Sequence, residues 1–402
     1  MNLLSLAFIL AFICAGRWLV SRPVSWRRDA LFCLLNLSVL YGLFYRTGGL
    51  PAKIVFSIYV LWVGFQYLML ARFAGRPGRL PWLAFFTPIL ALVFLRYGTP
   101  PDRFAVLKLP APVGSYFVGI SYLAFRSSYL VIQIRNGMVK PPGFWAYLSF
   151  CFFVPTFQVG PISPYTEFSR ALAGTPVDIS AARAGLRLLV GAIKYQFFGQ
   201  LCNQLAYVNL MQDDFYHHWV DLPVAMVFYY LYLYCNFSGF CDMAIGAAGL
   251  IGIPVAENFD NPFAARNVKD FWNRWHITLS TYMRDVVFAP LSKQLVRSFG
   301  PANANHAIAL TIIVVFLLVG VWHGVGWNYF IYGAIHALGV VTNHYYTIGL
   351  KRWLGREGFK AYNENRWIHA VAVVLTFAYC AASLLFFANT MPEIKYIFGI
   401  LK

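Results

Sequence analysis

His323 ends a run of uncharged residues that begins at Ala307 and closes with Leu317-Leu-Val-Gly-Val-Trp-His-Gly324. An ionisable group at that depth is costly in lipid and is a functional hypothesis by default. An imidazole is also the side chain best suited to move a proton near neutral pH. Gly324 lets another backbone or a ligand approach closely, and Trp322 can wall a cavity. From position alone, a catalytic and a structural role for His323 weigh equally. His276, in Trp272-Asn-Arg-Trp-His-Ile-Thr-Leu-Ser280, is a second candidate, for which the structural reading is slightly favoured. His336, in Tyr332-Gly-Ala-Ile-His336, could support either one from behind.

Other arrangements give less. There is no G-x-S-x-G elbow, no H-E-x-x-H and no P-loop. His217 and His218 beside Asp213 and Asp214 lack a third ligand, so a solvated turn is favoured over a metal site; no metal is expected. His306 and His369 suit an interface, and His344 has no carboxylate near it in sequence. A lone base acting without a covalent enzyme intermediate fits best, and acyl transfer needs little more than that; a transporter or channel whose histidines gate a pore or relay protons is the rival reading. In acyl transfer a base takes the proton of an acceptor hydroxyl, the oxygen attacks a thioester carbonyl, and a thiolate leaves. Donors for the developing oxyanion could be the Trp322 indole N–H, Asn273 or Arg274.

The elements that must position these groups belong to a membrane. The chain has 402 residues, 59% hydrophobic and 12% charged, against about 25% charged in soluble domains. It reads as an all-α polytopic protein and as one integral-membrane domain over 1–402. Apolar stretches fall near 2–16, 30–45, 54–71, 81–95, 113–134, 144–160, 184–209, 223–251, 304–322, 326–346 and 367–388, about eleven candidates at roughly 20 residues per span. The 223–251 stretch could be one tilted helix or a broken pair. The net charge of +17 resides in short loops, so topology, and not nucleic acid, explains it. Arg17, Arg22, Arg27, Arg28 and then Arg72, Arg76, Arg79 put those two gaps in the cytoplasm and the N-terminus outside. The first apolar run lacks a basic leader and a cleavage pattern, so it reads as a retained span. Seven cysteines, mostly in apolar segments and without metal-ligand spacing, read as core filler.

Three polar interruptions stand out. Gly160-Pro-Ile-Ser-Pro164 after Val154-Pro155 forces a turn. Glu257-Asn-Phe-Asp-Asn-Pro262 reads as another turn, after which Asn267 offers an N-cap with Asp270 in the first turn. One continuous amphipathic helix is predicted from there, with Phe271, Trp275, Thr278 and Tyr282 on one face and Trp272, His276, Leu279 and Met283 beside them. It would lie at the interface or line a polar cavity. The third, residues 347–366 with Lys351, Arg352, Arg356, Lys360 and Arg366, reads as a cytoplasmic loop able to meet an acidic partner or anionic membrane lipid.

These segments together resemble the membrane-bound O-acyltransferases (MBOAT). The resemblance rests on Trp272-Asn-Arg-Trp-His276 with Val321-Trp-His-Gly324, on Glu257-Asn-Phe-Asp-Asn-Pro-Phe263, on Phe237-Ser-Gly-Phe-Cys-Asp-Met-Ala-Ile-Gly246, on Gly160-Pro-Ile162 and on Tyr332-Gly-Ala-Ile-His336. The ordered set covers about residues 114–340. Gly119-Ile-Ser-Tyr-Leu-Ala-Phe-Arg126 followed by Ile132-Gln-Ile-Arg-Asn-Gly137 looks closest to the D-alanyl transfer branch, with the polysaccharide O-acetyltransferases next. Two departures stand out: Asn236 where the family usually has Asp, and Asn136 where the D-alanyl branch has an acid.

The resemblance implies a ring of about eleven transmembrane helices, with short re-entrant or interfacial helices, around a central tunnel in the bacterial cytoplasmic (inner) membrane. It implies His323 as the essential base and His276 as the second tunnel histidine, orienting substrate or polarising the carbonyl. Trp322, Asn273, Arg274, Trp275, His336 and Ser280 would surround them. No tightly bound cofactor is implied. The donor would be an acyl thioester on the phosphopantetheine arm of an acidic carrier protein, and the acceptor a hydroxyl of teichoic acid or another envelope polymer. Outside, DltD-like or acetylation partner proteins would follow. The formal class is an O-acyltransferase of EC 2.3.1 type, whose wording sets aminoacyl and D-alanyl groups aside.

Overall fold

Backbone N–H and C=O groups have no water to bond in a bilayer, so spanning segments close their hydrogen bonds within helices. In a computed structural model of the chain, residues 3–46, 48–97, 117–175, 179–211 and 218–401 are described. Among them the only β feature is an isolated bridge between Phe259 and Trp275. The helices are α1 (Leu3–Val20), α2 (Trp26–Leu40), α3 (Gly49–Phe73), α4 (Pro81–Tyr97), α5 (Ile120–Arg135), α6 (Phe144–Cys151), α7 (Tyr165–Leu172), α8 (Ala181–Ile193), α9 (Gly199–Asn203), α10 (Tyr207–Leu210), α11 (Asp221–Ile251), α12 (Val268–Arg274), α13 (Ile277–Met283), α14 (Ala289–Phe299), α15 (Ala304–His323), α16 (Trp327–Glu364), α17 (Arg366–Ala388) and α18 (Met391–Ile400).

The chain is an all-α, multi-pass membrane protein. Among the described residues, five helical segments are long and apolar enough to cross a bilayer: Trp26–Tyr45, Gly49–Phe73, Asp221–Ile251, Pro301–His323 and Arg366–Ala388. The 223–251 stretch is one unbroken helix, α11. Two other stretches are interrupted. The 144–160 run keeps only α6 before a single 3-10 turn at Val154–Thr156, and the 184–209 run stays helical from α8 through a π-helical turn at Lys194–Phe198 into α9, ending in a turn before the short α10. Pro155 and the glycine-proline turn account for the first break. Motif residues 114–116 and the acids and His217 of the 213–218 cluster lie outside the described residues.

The described chain forms two compact units, Met1–Gly191 with Phe240–Ala256, and Ala192–Gly239 with Glu257–Lys402. In the first, side chains satisfy the irregular backbone of residues 152–164. Asn36 Oδ1 accepts from Val154 N at 2.9 Å, and Gln133 Oε1 accepts from Tyr165 N at 3.0 Å. Arg126, 2% exposed, donates to the carbonyls of Phe150 and Cys151 and to Thr156 Oγ1. Its charge thereby meets the negative C-terminal end of α6. Gly119 sits at φ 72°, and a Cβ there would strike the Phe157 carbonyl.

In the second unit, α15 and α16 cross at Gly320 and Gly333. A Cβ on Gly333 would come within 3.2 Å of the Gly320 Cα and collide with the Phe316 carbonyl. Small residues at such a crossing let two membrane helices pack backbone to backbone. The 347–366 loop predicted from charge is helical instead: α16 continues through it, broken only at Gly355, where φ is 64°. The returning segment is tied by the Tyr346 and Tyr362 hydroxyls at 3.1 Å and by Lys351 over the Phe359 ring.

Candidate active site

The segment carrying His276 is two short helices, and not the one helix its periodicity predicts. Asn267 caps α12 as expected, its side chain accepting from Asp270 N at 2.9 Å. After Arg274 the chain straightens: Trp275 is extended, and His276 takes a left-handed conformation at φ 47°, ψ 50°. Left-handed backbone is unusual for a residue other than glycine and is often found where surrounding structure imposes it. Here the imposing structure is the preceding turn. Asp260 N donates to Arg274 O at 2.9 Å and Ile277 N to Asn258 O at 3.0 Å. Pairing with the extended 258–260 segment takes the place of one more helical turn, and α13 starts at Ile277.

That pairing builds a specific environment for the imidazole. Asn258 is 1% exposed, and its Oδ1 receives three groups: Thr278 N at 3.2 Å, Thr278 Oγ1 at 2.8 Å and His276 Nδ1 at 3.1 Å. A backbone N–H can only donate, so the atom facing it is the amide oxygen. His276 Nδ1 must then carry a proton, which leaves Nε2 bare in the neutral ring. That Nε2 is buried with no hydrogen-bond partner among the described residues. Burial first, and the His323 imidazole second, push the His276 pKa down to about 3. The ring is held by Phe237, edge-on at 4.8 Å, and Trp322 at 6.3 Å.

His323 ends α15, with its ring 4.5 Å from Trp322, 4.9 Å from Phe387 and 5.9 Å from Tyr332. The two histidines thus flank one indole. Gly324 does allow a close approach, but the group that takes the space is the Tyr329 ring, which a Cβ would strike. His336 is 1% exposed and fully engaged. Its Nδ1 accepts from Trp272 Nε1 at 3.1 Å, and its Nε2 lies 3.0 Å from Ser383 Oγ. The Ser383 hydroxyl donates to Cys380 O at 2.7 Å, so the serine oxygen accepts from His336 Nε2–H. A void of about 10 Å³ lies beside His336, room for at most one water.

The remaining predicted neighbours divide. Asn273 and Ser280 line a cavity of about 610 Å³, together with Trp272, Ile277 and His344. Ser280 Oγ and His344 Nε2 are buried there without hydrogen-bond partners. Lys269, Arg284 and Lys351 also line it, while Ile308, Ile312 and Val319 supply an apolar wall. Arg274 is committed elsewhere, to Asp270 at 3.0 Å and Asp260 at 3.7 Å. Trp275 is buried in an aromatic cluster, stacked on Phe271 at 5.5 Å. In the sequence Asn258 lies in a turn and in the Glu257-Asn-Phe motif, where nothing marks it as the partner of His276. Three groups of His, Cys, Asp or Glu able to hold a metal do not come together among the described residues.

The profile of MBOAT, the membrane-bound O-acyltransferase family, matches residues 120–386. A teichoic acid D-alanyltransferase of Streptococcus thermophilus is 32% identical over 299 residues, 70% of each chain. Its namesake in Bacillus subtilis is 31% identical over 278 residues, 68% of this chain and 69% of that one. A probable alginate O-acetylase of Pseudomonas putida is 26% identical over 384 residues, covering 93% of this chain and 72% of its own. Two D-alanyltransferases among these relatives correct the formal class wording, since it can no longer set D-alanyl groups aside. With the profile spanning most of its length and both histidine motifs inside that span, the chain belongs to the MBOAT family.

Proposed function

We propose that the protein moves an acyl group from a thioester to a hydroxyl of a cell-envelope polymer in the bacterial cytoplasmic membrane, with His323 as general base. The observation that carries this reading is the pairing of two imidazoles around Trp322, one of them with a bare, buried nitrogen. In the step proposed, His323 takes the hydroxyl proton as the oxygen bonds to the thioester carbonyl carbon. The carbon–sulfur bond then breaks, and the departing thiolate recovers a proton from the imidazolium. No acyl-enzyme forms.

The 610 Å³ cavity has a size common for small-molecule sites; Asn273 and Ile277, which neighbour His276 in sequence, line it, while His276 and His323 themselves do not. It suits the phosphopantetheine arm of a carrier protein: Lys269, Arg284 and Lys351 offer charge to a phosphate, and Ser280 and His344 offer polar atoms to its amides. An acidic carrier would meet the same basic face. The D-alanyl group is the first choice because the named D-alanyltransferases share the higher identity. Acetylation of an exopolysaccharide is the second, favoured by the alginate O-acetylase that aligns over 93% of this chain.

Purified protein in liposomes, supplied with D-alanyl or acetyl thioester on a carrier and with polyglycerol phosphate or a polyuronate, tests both choices. The His323→Ala variant is expected to lose transfer entirely while inserting and folding normally. Ester formation at the wild-type rate in that variant would overturn the assignment.

A further inference from the structure

Asn258 is the hub of the His276 turn. Three donors converge on its Oδ1, its backbone oxygen pairs with Ile277, and the histidine it holds sits in a left-handed conformation. A side chain whose oxygen already takes the Thr278 N–H and O–H is fixed in orientation, so it presents the imidazole with an acceptor and never a donor. The opposite ring nitrogen is left without a partner in a buried place, where an orphan polar atom costs about 1–3 kcal/mol. Such an atom persists where a ligand supplies the missing bond.

We propose that Asn258 is a positioning residue for the transfer reaction: it locks His276 as the Nδ1–H tautomer so that bare Nε2 accepts a hydrogen bond from the substrate. This rests on the acyl-transfer reading above and narrows the two roles the family resemblance left open. Polarising a carbonyl requires an N–H, which Nε2 lacks in this tautomer. Accepting from the attacking hydroxyl, and so aiming its oxygen while His323 takes the proton, requires only the lone pair. The groups facing the ring are Asn258 and Thr278 from its own turn, Phe237 from α11, and Trp322 and His323 from α15, of which only His323 is titratable.

Nitrogen NMR of the full-length protein labelled with ¹⁵N-histidine, in bilayers, reads the tautomer directly, with the His276→Asn variant identifying the signal. The wild type is expected to show a protonated Nδ1 and a bare Nε2. Asn258→Ala should mix the tautomers and lower transfer roughly 10²-fold, within the range a positioned proton-handling group contributes. Asn258→Asp keeps the acceptor but adds a charge that favours the imidazolium. The His276 pKa then rises from about 3, bare Nε2 exists only above that higher pH, and the acid limb of the rate profile moves up by about one unit or more. A merely structural asparagine would not move that limb. A wild-type Nε2–H signal, or an Asn258→Asp profile superimposable on the wild type, would overturn the inference alone. A wild type that holds the tautomer yet forms no ester from either thioester would overturn the functional reading.

Discussion

His276 and His336 are buried to nearly the same degree, 3% and 1% exposed, within one compact unit, and each reaches His323 through one aromatic neighbour, Trp322 or Tyr332. The fold treats them oppositely. Around His336 every polar atom is spent: the Trp272 indole donates to one nitrogen and the Ser383 oxygen accepts from the other. Around His276 three donors fill the Asn258 oxygen and the second ring nitrogen faces nothing. A satisfied buried imidazole specifies packing, whereas one held by a single nitrogen is poised to act through the other. Burial alone therefore says little about which histidine works; the count of filled lone pairs and protons says more.

The largest test of this contrast replaces His276 by Asn. Asparagine tolerates the left-handed backbone better than most residues, so the turn should survive while the basic nitrogen is lost. Transfer is expected to fall about 10²-fold or more, with the thermal midpoint in detergent close to the wild type. A stability loss with undiminished transfer per folded molecule would reverse the roles assigned to the two rings.

His336→Leu should do the converse. It takes away the acceptor of the buried Trp272 N–H, and an orphaned buried donor costs about 1–3 kcal/mol. The matching variant, His336→Leu with Trp272→Phe, removes both partners and should recover part of that loss, because apolar replacement of a whole pair can be nearly neutral. Unfolding midpoints of the single and double variants measure it. Additive losses would mean that Trp272 and His336 contribute separately, and that the bond between them is not what holds this pocket.

This contrast was only half legible in the sequence. The membrane class, the N-cap at Asn267 and the turn at Gly160 follow from composition and local rules, and the structure carries all three. The break at Trp275–His276 does not, because helical periodicity runs straight through it. What stops the helix is non-local pairing with residues 258–260, which no window over 267–283 contains. The 347–366 segment failed for the reverse reason: its basic residues read as a loop, yet helix geometry is maintained on both sides of Gly355. Asn258 was hidden in a third way. Its importance lies in the number of donors it receives, a property of the assembled turn and not of the tripeptide Glu257-Asn-Phe.

The smallest expected effect lies at the start of the same segment. Asn267 caps α12, the helix that carries Trp272 toward His336 and leads into the His276 turn, so it supports both regions at once. Asn267→Ala removes one acceptor from the first turn, at a cost of about 1 kcal/mol. Asp270 stays bonded to Arg266 N and to Arg274, so the helix should keep its place and only its margin should shrink. The unfolding midpoint should drop slightly, while transfer per folded molecule and the pH profile remain those of the wild type. A shift in the acid limb on removing this cap would mean that the His276 nitrogen is set by the pose of α12. Asn258 would then share the positioning role with the helix that precedes it.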